Sequence, residues 1–496
     1  MIKIGWASRN VSTDSPVDIP GQFHRRISKK CMDEITVTAL IVEREDTVIM
    51  VSGDFVSASN DIIVDIRNAV KSKNSSIPTE NILYSATHTH SSPRYVTSSL
   101  GYDNNPCETE VEPPQIYRAF LVDNISDAIV EAYEKREEGS FAYGYETASI
   151  GVSRRVTYFN DRGLMNGNKR SSLAPNGHGV MYGKTNDEMF SGYEGTTDSN
   201  VNFMFTFDKN DQLTGAVINV PCPSQCGENE LYLSADYWHF ARKFIREKYG
   251  NIYILPQCAA AGDLSPHTLH QKSAEDRKLK LKYSDNIEHS SIADISIYPM
   301  DYYYKVELGE RIAEAFSRAY PWATKEKIKD APVFHNVEFM PLEAWKISDE
   351  QYKEAKEGLA ELKNSAEDTL DVNGNSVKAT AIRRYENVIR KYERDDDFVP
   401  TEVHTIRIGD IAFASNPFEL YIDYQHRIQG RSPFIQTFIV QIAAAAGFDG
   451  CYLCTERAKE NMGYSAIIYS CSVSPEGGQT LVNKTINSLN ELKNKG

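Results

Sequence analysis

No stretch of this 496-residue chain approaches the roughly 20 consecutive apolar residues that cross a bilayer, so no transmembrane helix is expected. Positive charge is also in short supply: 54 lysines and arginines against 69 aspartates and glutamates leave a formal charge of −15. Contact with phosphates needs Lys and Arg, which argues against nucleic acid or an anionic membrane surface as partner. The first residues, MIKIGWASRNVSTDSP, hold no basic segment followed by an apolar one, so no secretory signal is expected. The 8 cysteines are scattered, and without such a signal free thiols in a reducing cytoplasm are expected rather than disulfides. Two pairs, Cys222 with Cys226 and Cys451 with Cys454, could imitate a four-thiolate zinc site, although the first spacing is loose. There is no internal repeat and no Pro/Ser-rich linker, so although length alone allows about three domains, one large α/β domain over residues 1–496 is expected.

What is present reads as strands and helices in alternation. ITVTALIVE and TVIMVSGDF are β-branched runs separated by REDT, which predicts a hairpin. NDIIVDIRNAVKS has apolar residues at helical spacing, and NILYSA is a short strand. PPQIYRAFLVDNISDAIVEAYEKR opens on proline and predicts a long amphipathic helix. VNFMFTFDKNDQLTGAVINV predicts a second hairpin turning at DKNDQ. SADYWHFARKFIREKYG predicts a helix capped by Ser234 or Asp236 and stopped by Gly250. Residues 348–397 differ in character: two charge-rich helical segments separated by DVNGNS predict a peripheral, solvated hairpin that borders no main cavity. Strand–helix alternation then returns through VHTIRIGDIAFAS, PFELYIDYQHRI, FIQTFIVQIA and TLVNKTINSLNEL.

Five loops, each following an expected strand, contain THTHSSPR, NVPCPSQCGE, AAAGDLSPH, NPFEL and GCYLCTERAKENMGYSA. Strand-end loops are where α/β sheets gather ligands. Pooled, these offer His88, His90, Asp263, Ser265, His267, Glu419, Tyr452 and Tyr464. Of the 11 histidines, two stand one residue apart in the first of these loops, where both could point into a cleft or simply decorate a polar turn. Neutral imidazoles and an anionic oxygen are what a hydrolytic metal site requires, together with an open position for water.

The same loops resemble those of the neutral (alkaline, non-lysosomal) ceramidase family, in the same order along almost the whole chain. THTHSSP is similar to that family's THTHSGP loop, and GDLSPH to its GDxSPN loop. RIGDIAFASNPFEL resembles the strand leading into its PGE turn, and GCYLCTERAKENMGYSA the tyrosine loop before its EGG, here Glu476-Gly477-Gly478. The resemblance implies an α/β fold, a large mixed-sheet domain with flanking helices, without the family's C-terminal immunoglobulin-like domain. It implies a single zinc, with His88, Glu419 and Tyr452 as ligands, His90 handling the leaving-group proton and Ser265 in the serine position beside Asp263. Arg154, in GVSRR, resembles an arginine that contacts substrate or stabilises an oxyanion, and Tyr464 a supporting tyrosine.

One departure is serious. The family's second ligating histidine follows a strand resembling LTGAVINV, where this chain has PCPSQC. His239, from the next helix, is the expected substitute, with Cys222 the other candidate. The chemistry implied is a metal-dependent hydrolase acting on an amide or ester of a small acylated amine or sugar derivative. A glycosidase using two of Asp236, Asp263 and Glu419, or a binding protein that has lost a ligand, are the other readings. The expected partner is a small-molecule substrate, with a homo-oligomer open and long-chain ceramide a poor substrate.

Overall fold

In this computed structural model the chain is described over residues 1–97, 110–162, 173, 177–283, 299–366, 377–446 and 451–495. Strands β1 (Lys3–Asn10), β2 (Thr36–Glu43), β3 (Thr47–Gly53), β4 (Ile82–Ala86), β5 (Glu137–Thr147), β6 (Asn200–Asp208), β7 (Leu213–Val220) and β8 (Tyr253–Cys258) form a mixed sheet in the order β8-β7-β6-β5-β1-β2-β3-β4. β1 and β5 pair only at Lys3–Glu138 and Ile4–Glu137, so the sheet divides into two four-stranded halves. A second sheet contains β9 (Val333–Glu343), β10 (Phe398–Ile408), β11 (Ile411–Ser415) and β12 (Gln436–Val440), in that order.

Side-chain alternation makes these three parts share one interior. On β2, Leu40 and Val42 face inward while Val37, Ala39 and Ile41 face the other way, as a period of two requires. Trp6, Leu40 and Met50 from the first half meet Met204, Val217 and Leu255 from the second, and Ile406, Phe413 and Phe438 from the smaller sheet. The opposite faces need covers of their own. Helices α1 (Asn60–Lys73) and α2 (Pro114–Glu134) cover the first half, and α3 (Tyr237–Tyr249) and α4 (Pro299–Ala323) the second. Between β9 and β10 the chain inserts α5 (Asp349–Asn364) and α6 (Val377–Arg394). The smaller sheet is backed by α7 (Ile422–Gln429) and α8 (Pro475–Asn494).

Each part contributes one parallel pair: β3 with β4, β7 with β8, and β11 with β12. The loops leaving these pairs are stitched together by backbone hydrogen bonds. Ala86 N donates to Ile442 O (3.3 Å), Ser224 N to Thr87 O (3.3 Å), Gln441 N to Cys258 O (3.0 Å) and Gly262 N to Leu420 O (2.8 Å). The carboxyl ends of three strand pairs therefore meet at one place, where α/β sheets form ligand crevices.

The first expected hairpin is β2–β3, the second β6–β7, and the expected helix after it is α3, whose start is capped by the Asp236 carboxylate and whose end falls at Gly250 with φ +84. The charged segment does form a two-helix hairpin. Ser348 and Gln351 make a capping box, Tyr352 stacks on Tyr392 at 4.1 Å, and Ala355 and Val388 are its buried contacts. Its DVNGNS turn lies outside the described residues. A cleft of about 870 Å³ runs along this hairpin, lined by Trp345, Arg390, Tyr392, Phe398 and Cys451. Among the described residues no helix is long and apolar enough to cross a membrane, and the seven cysteines are free thiols.

Candidate active site

β4 ends at Ala86, and the chain turns sharply: His88 adopts φ +65, a conformation costly for a side-chain-bearing residue. Flanking bonds hold it there, from Thr87 N to Gly53 O (3.0 Å) and Thr89 N to Phe55 O (3.1 Å). The His88 imidazole Nδ1 lies 2.6 Å from Val56 O. A carbonyl only accepts, so Nδ1 carries a proton, and Nε2 is the nitrogen that faces the pocket. That Nε2 is 3.3 Å from His90 Nε2 and 3.6 Å from Glu419 Oε2. His90 is sealed from the other side by the loop at Gly21, where a β-carbon would come within 2.8 Å of its Cγ and φ is +107. Burial, then His88 and the cations Arg26 and Arg154, push the His90 pKa well below the usual imidazole range, so it is neutral.

The carboxylate arrives by register. Glu419–Leu420 pairs in parallel with Tyr452–Leu453, with Glu419 directly opposite Tyr452, so both side chains share one face. Arg154 arrives the same way: Leu264–Ser265 pairs with Val152–Ser153, and Arg154 N donates to Asp263 O at 2.9 Å. Its guanidinium Nη2 then lies 3.4 Å from Glu419 Oε2, 3.3 Å from Tyr452 Oη and 2.8 Å from Gly262 O. Burial, and next the Glu419 charge, raise the Tyr452 phenol well above its ordinary value, leaving it a hydrogen-bond donor. Tyr464 meets the Tyr452 ring edge-on at 5.6 Å and the Phe23 ring at 5.7 Å, on the open side of the pocket.

Sequence reasoning missed several contributors. Arg155, fully buried, forms a bidentate pair with Glu194 (2.5 and 3.0 Å) and donates to the carbonyls of Tyr464 and Met462, both at 2.7 Å. It thereby fixes the loop in which Met462, Gly463 and Ser465 all have positive φ. Tyr182 Oη accepts from Arg154 Nη1 (3.0 Å) and Gln225 Nε2 (2.6 Å) and donates to Glu228 (3.0 Å), with Ser265 hydrogen-bonded to the same phenol. A cavity of about 340 Å³ opens beside Tyr182, between Glu228, His267 and Tyr304. The signal for Gln225 was its place in the PCPSQC loop; nothing marked Tyr182.

Two expected residues do not join. His239, in the first turn of α3, lies edge-on to Phe240 and interacts with Asp33; among the described residues none of its contacts reaches His88, Glu419 or Tyr452. Asp263 Oδ1 accepts from Ile422 N at 2.9 Å, which holds the start of α7, and burial pushes its pKa up to about 7. It positions the neighbouring chain, and among the described residues no hydrogen bond joins its carboxylate to His88, Arg154, Glu419 or Tyr452. Cys222, the other candidate for the missing histidine, is buried, its thiol against Pro223 O at 3.4 Å.

The expected zinc can be tested against these residues. Ligands 2.0–2.2 Å from a tetrahedral zinc lie about 3.3 Å apart. His88 and Glu419 come near that, but among the described residues no three His, Cys, Asp or Glu side chains converge as ligands. Glu419 and Tyr452 instead share the Arg154 guanidinium. A divalent ion about 4 Å from that charge would meet a repulsion of about 8 kcal/mol at an effective dielectric near 20. As they stand here, His88, Glu419, Tyr452 and His239 do not form a donor set that fits zinc.

No family model matches the sequence, and no curated protein matches it. Solved structures do. The crystal structure of neutral ceramidase from Pseudomonas aeruginosa aligns over 99% of this chain and 74% of its own, with a TM-score of 0.65 and 14% identity. A ceramidase complexed with C2 aligns over 99% and 75%, with the same score and identity. The chain is a mixed α/β protein with the neutral ceramidase fold, and at this identity the likeness is one of architecture.

Proposed function

We propose that this pocket hydrolyses an amide or ester bond of a small, water-soluble acylated amine or sugar derivative. The supporting observation is the convergence of His88, Glu419, Arg154 and Tyr452, from four chain-distant segments, at one crevice of a ceramidase-like fold. With Nδ1–H held by Val56 O, His88 Nε2 is the base that takes a proton from the attacking water, and Glu419 stabilises the resulting imidazolium. The carbonyl oxygen gains negative charge as water adds, and Arg154 with the Tyr452 and Tyr464 hydroxyls supplies donors for it. As the intermediate collapses, the proton returns through His90, whose Nε2 faces that of His88, to the leaving nitrogen or oxygen. A paired-carboxylate glycosidase lacks support: Asp236 caps α3 and pairs with Lys305, and Asp263 holds α7. A reducing compartment belongs to this reading, consistent with the free thiols.

The test is a panel of soluble N-acyl, O-acyl and glycoside substrates against wild type and Arg154→Met. Cleavage of acyl compounds, reduced about 10²–10³-fold in the variant, is expected for loss of an oxyanion donor. Preference for glycosides, or ligand binding without turnover anywhere in the panel, would sink the reading.

A further inference from the structure

We infer that the Arg154 guanidinium is the resident cation of this site, taking the place of a metal ion, so that the protein needs no bound metal. The geometry points there from several directions. Nη2 lies within 3.4 Å of both the Glu419 carboxylate and the Tyr452 phenol, the two oxygen donors that would face an ion. The same Nη2 also donates to Gly262 O at 2.8 Å and Nη1 to Tyr182 Oη at 3.0 Å, Nε finds no hydrogen-bond partner among the described residues, and the backbone N–H donates to Asp263 O at 2.9 Å. An arginine that merely visited the pocket would not need three anchors outside it. It is buried with 3% of its surface exposed, and a buried guanidinium is retained only when paired.

The loop after β7 supports the exchange. It offers no imidazole; Gln225, fully buried, donates from Nε2 to Tyr182, the residue that anchors Arg154. Where an ion would need another donor, this chain has built a support for the arginine. The Gln225–Tyr182–Arg154 line is a chain of hydrogen bonds ending on the charge, which orients the planar fork toward Glu419. Glu419 accordingly compensates a protein charge rather than ligating an ion.

The inference is independent of which bond is cleaved, and its test reads no substrate. Full-length protein, purified without added metal and again after equilibration with zinc followed by dialysis, is assayed for metal by elemental analysis. Zinc well below one per chain, with a melting temperature unmoved by zinc or chelator, is expected. About one zinc per chain, lost in both His88→Ala and Glu419→Ala, overturns the inference. A double-mutant cycle then asks what Glu419 faces. Glu419→Gln is expected to lower the melting temperature of wild type, because it strands a buried cation, and to have little effect or a stabilising one in Arg154→Met, where no cation remains. Equal losses in the two backgrounds overturn the assignment. Should Arg154→Met fail to fold, Arg154→Lys serves as the second background: a point charge without the fork should retain part of the coupling, and complete independence again overturns it.

Discussion

Replacing Glu194 with alanine should be among the more costly single changes available outside the pocket. Glu194 compensates Arg155, and both are buried, with side-chain exposures of 3% and 0%. Removing one member of such a pair strands a charge away from water, a loss of about 3–5 kcal/mol. Two carbonyls, those of Tyr464 and Met462, still accept from the guanidinium at 2.7 Å, which places the expected value near the lower end, about 3 kcal/mol. Glu194→Gln keeps an acceptor for Arg155 but not the charge, and the charge-assisted part of that bond is worth about 1.5–3 kcal/mol. The assay is urea unfolding at neutral pH, with the slope of the transition compared so that a change in midpoint reads as a change in stability. Hydrogen exchange gives the local signature: amides around residues 462–466 should lose protection before those of β6 do, since Arg155 fixes that loop from one side. If Glu194→Ala is within about 1 kcal/mol of wild type, the pair is not the buried, mutually compensating contact described, and the argument for it fails.

Acid should destabilise the fold earlier than carboxylate titration alone requires. His90, His335 and His404 all have pKa values pushed below the ordinary 6.5, first by burial. The unfolded chain therefore gains protons that the folded chain does not as pH falls below about 6.5, and each such histidine costs about 1.4 kcal/mol per pH unit until its folded pKa is reached. Asp263 and Asp301, both raised to about 7 by burial, act in the opposite sense over this range, so the comparison is made in the Asp263→Asn/Asp301→Asn background, where equal urea midpoints at pH 7.5 and 5.5 would contradict the histidine contribution. His88→Ala and His90→Ala should each slow turnover by about 10²–10⁴ without changing metal content, as expected of proton-handling groups; a variant with full activity removes that histidine from the scheme. Long-chain ceramide presented in vesicles should be a poor substrate beside a soluble acyl compound, and comparable rates on the two would show that the partner has been misjudged.

Much of the local structure was legible because it is periodic. The β2–β3 hairpin, α1, α2 and α3 follow from alternation, helical spacing and end signals in their own residues. β9 was not, since VFHNVEFMPLE contains a proline and exposes Phe339, and its strand character depends on the full-length ladder it makes with β10. The site divides the same way. His88, Glu419, Tyr452 and Tyr464 were visible as loop residues after strands and Arg154 only through the family resemblance, and they do gather. Which of them would meet was set by pairings two residues long, such as Glu419 opposite Tyr452, that leave no periodic trace. His239 looked plausible on composition, yet its contacts are with Phe240 and Asp33 at the start of α3. Tyr182, with φ +55 and one hydroxyl serving four partners, had no local signature.

The meeting of three parallel strand pairs at one place has a consequence for how the molecule acquires its activity. Arg154 and Glu419 are 265 positions apart in the chain, and Arg154 and Tyr452 are 298 apart. Contacts so remote in sequence close late, because the entropy of bringing the intervening chain together must be overcome first. A nascent chain halted anywhere before residue 419 can present both histidines and the arginine, yet it has no carboxylate to set against them. Premature or partly assembled molecules should therefore be silent rather than weakly active, and the appearance of turnover during refolding should lag behind the recovery of secondary structure, serving as a clock for the final docking of the smaller sheet.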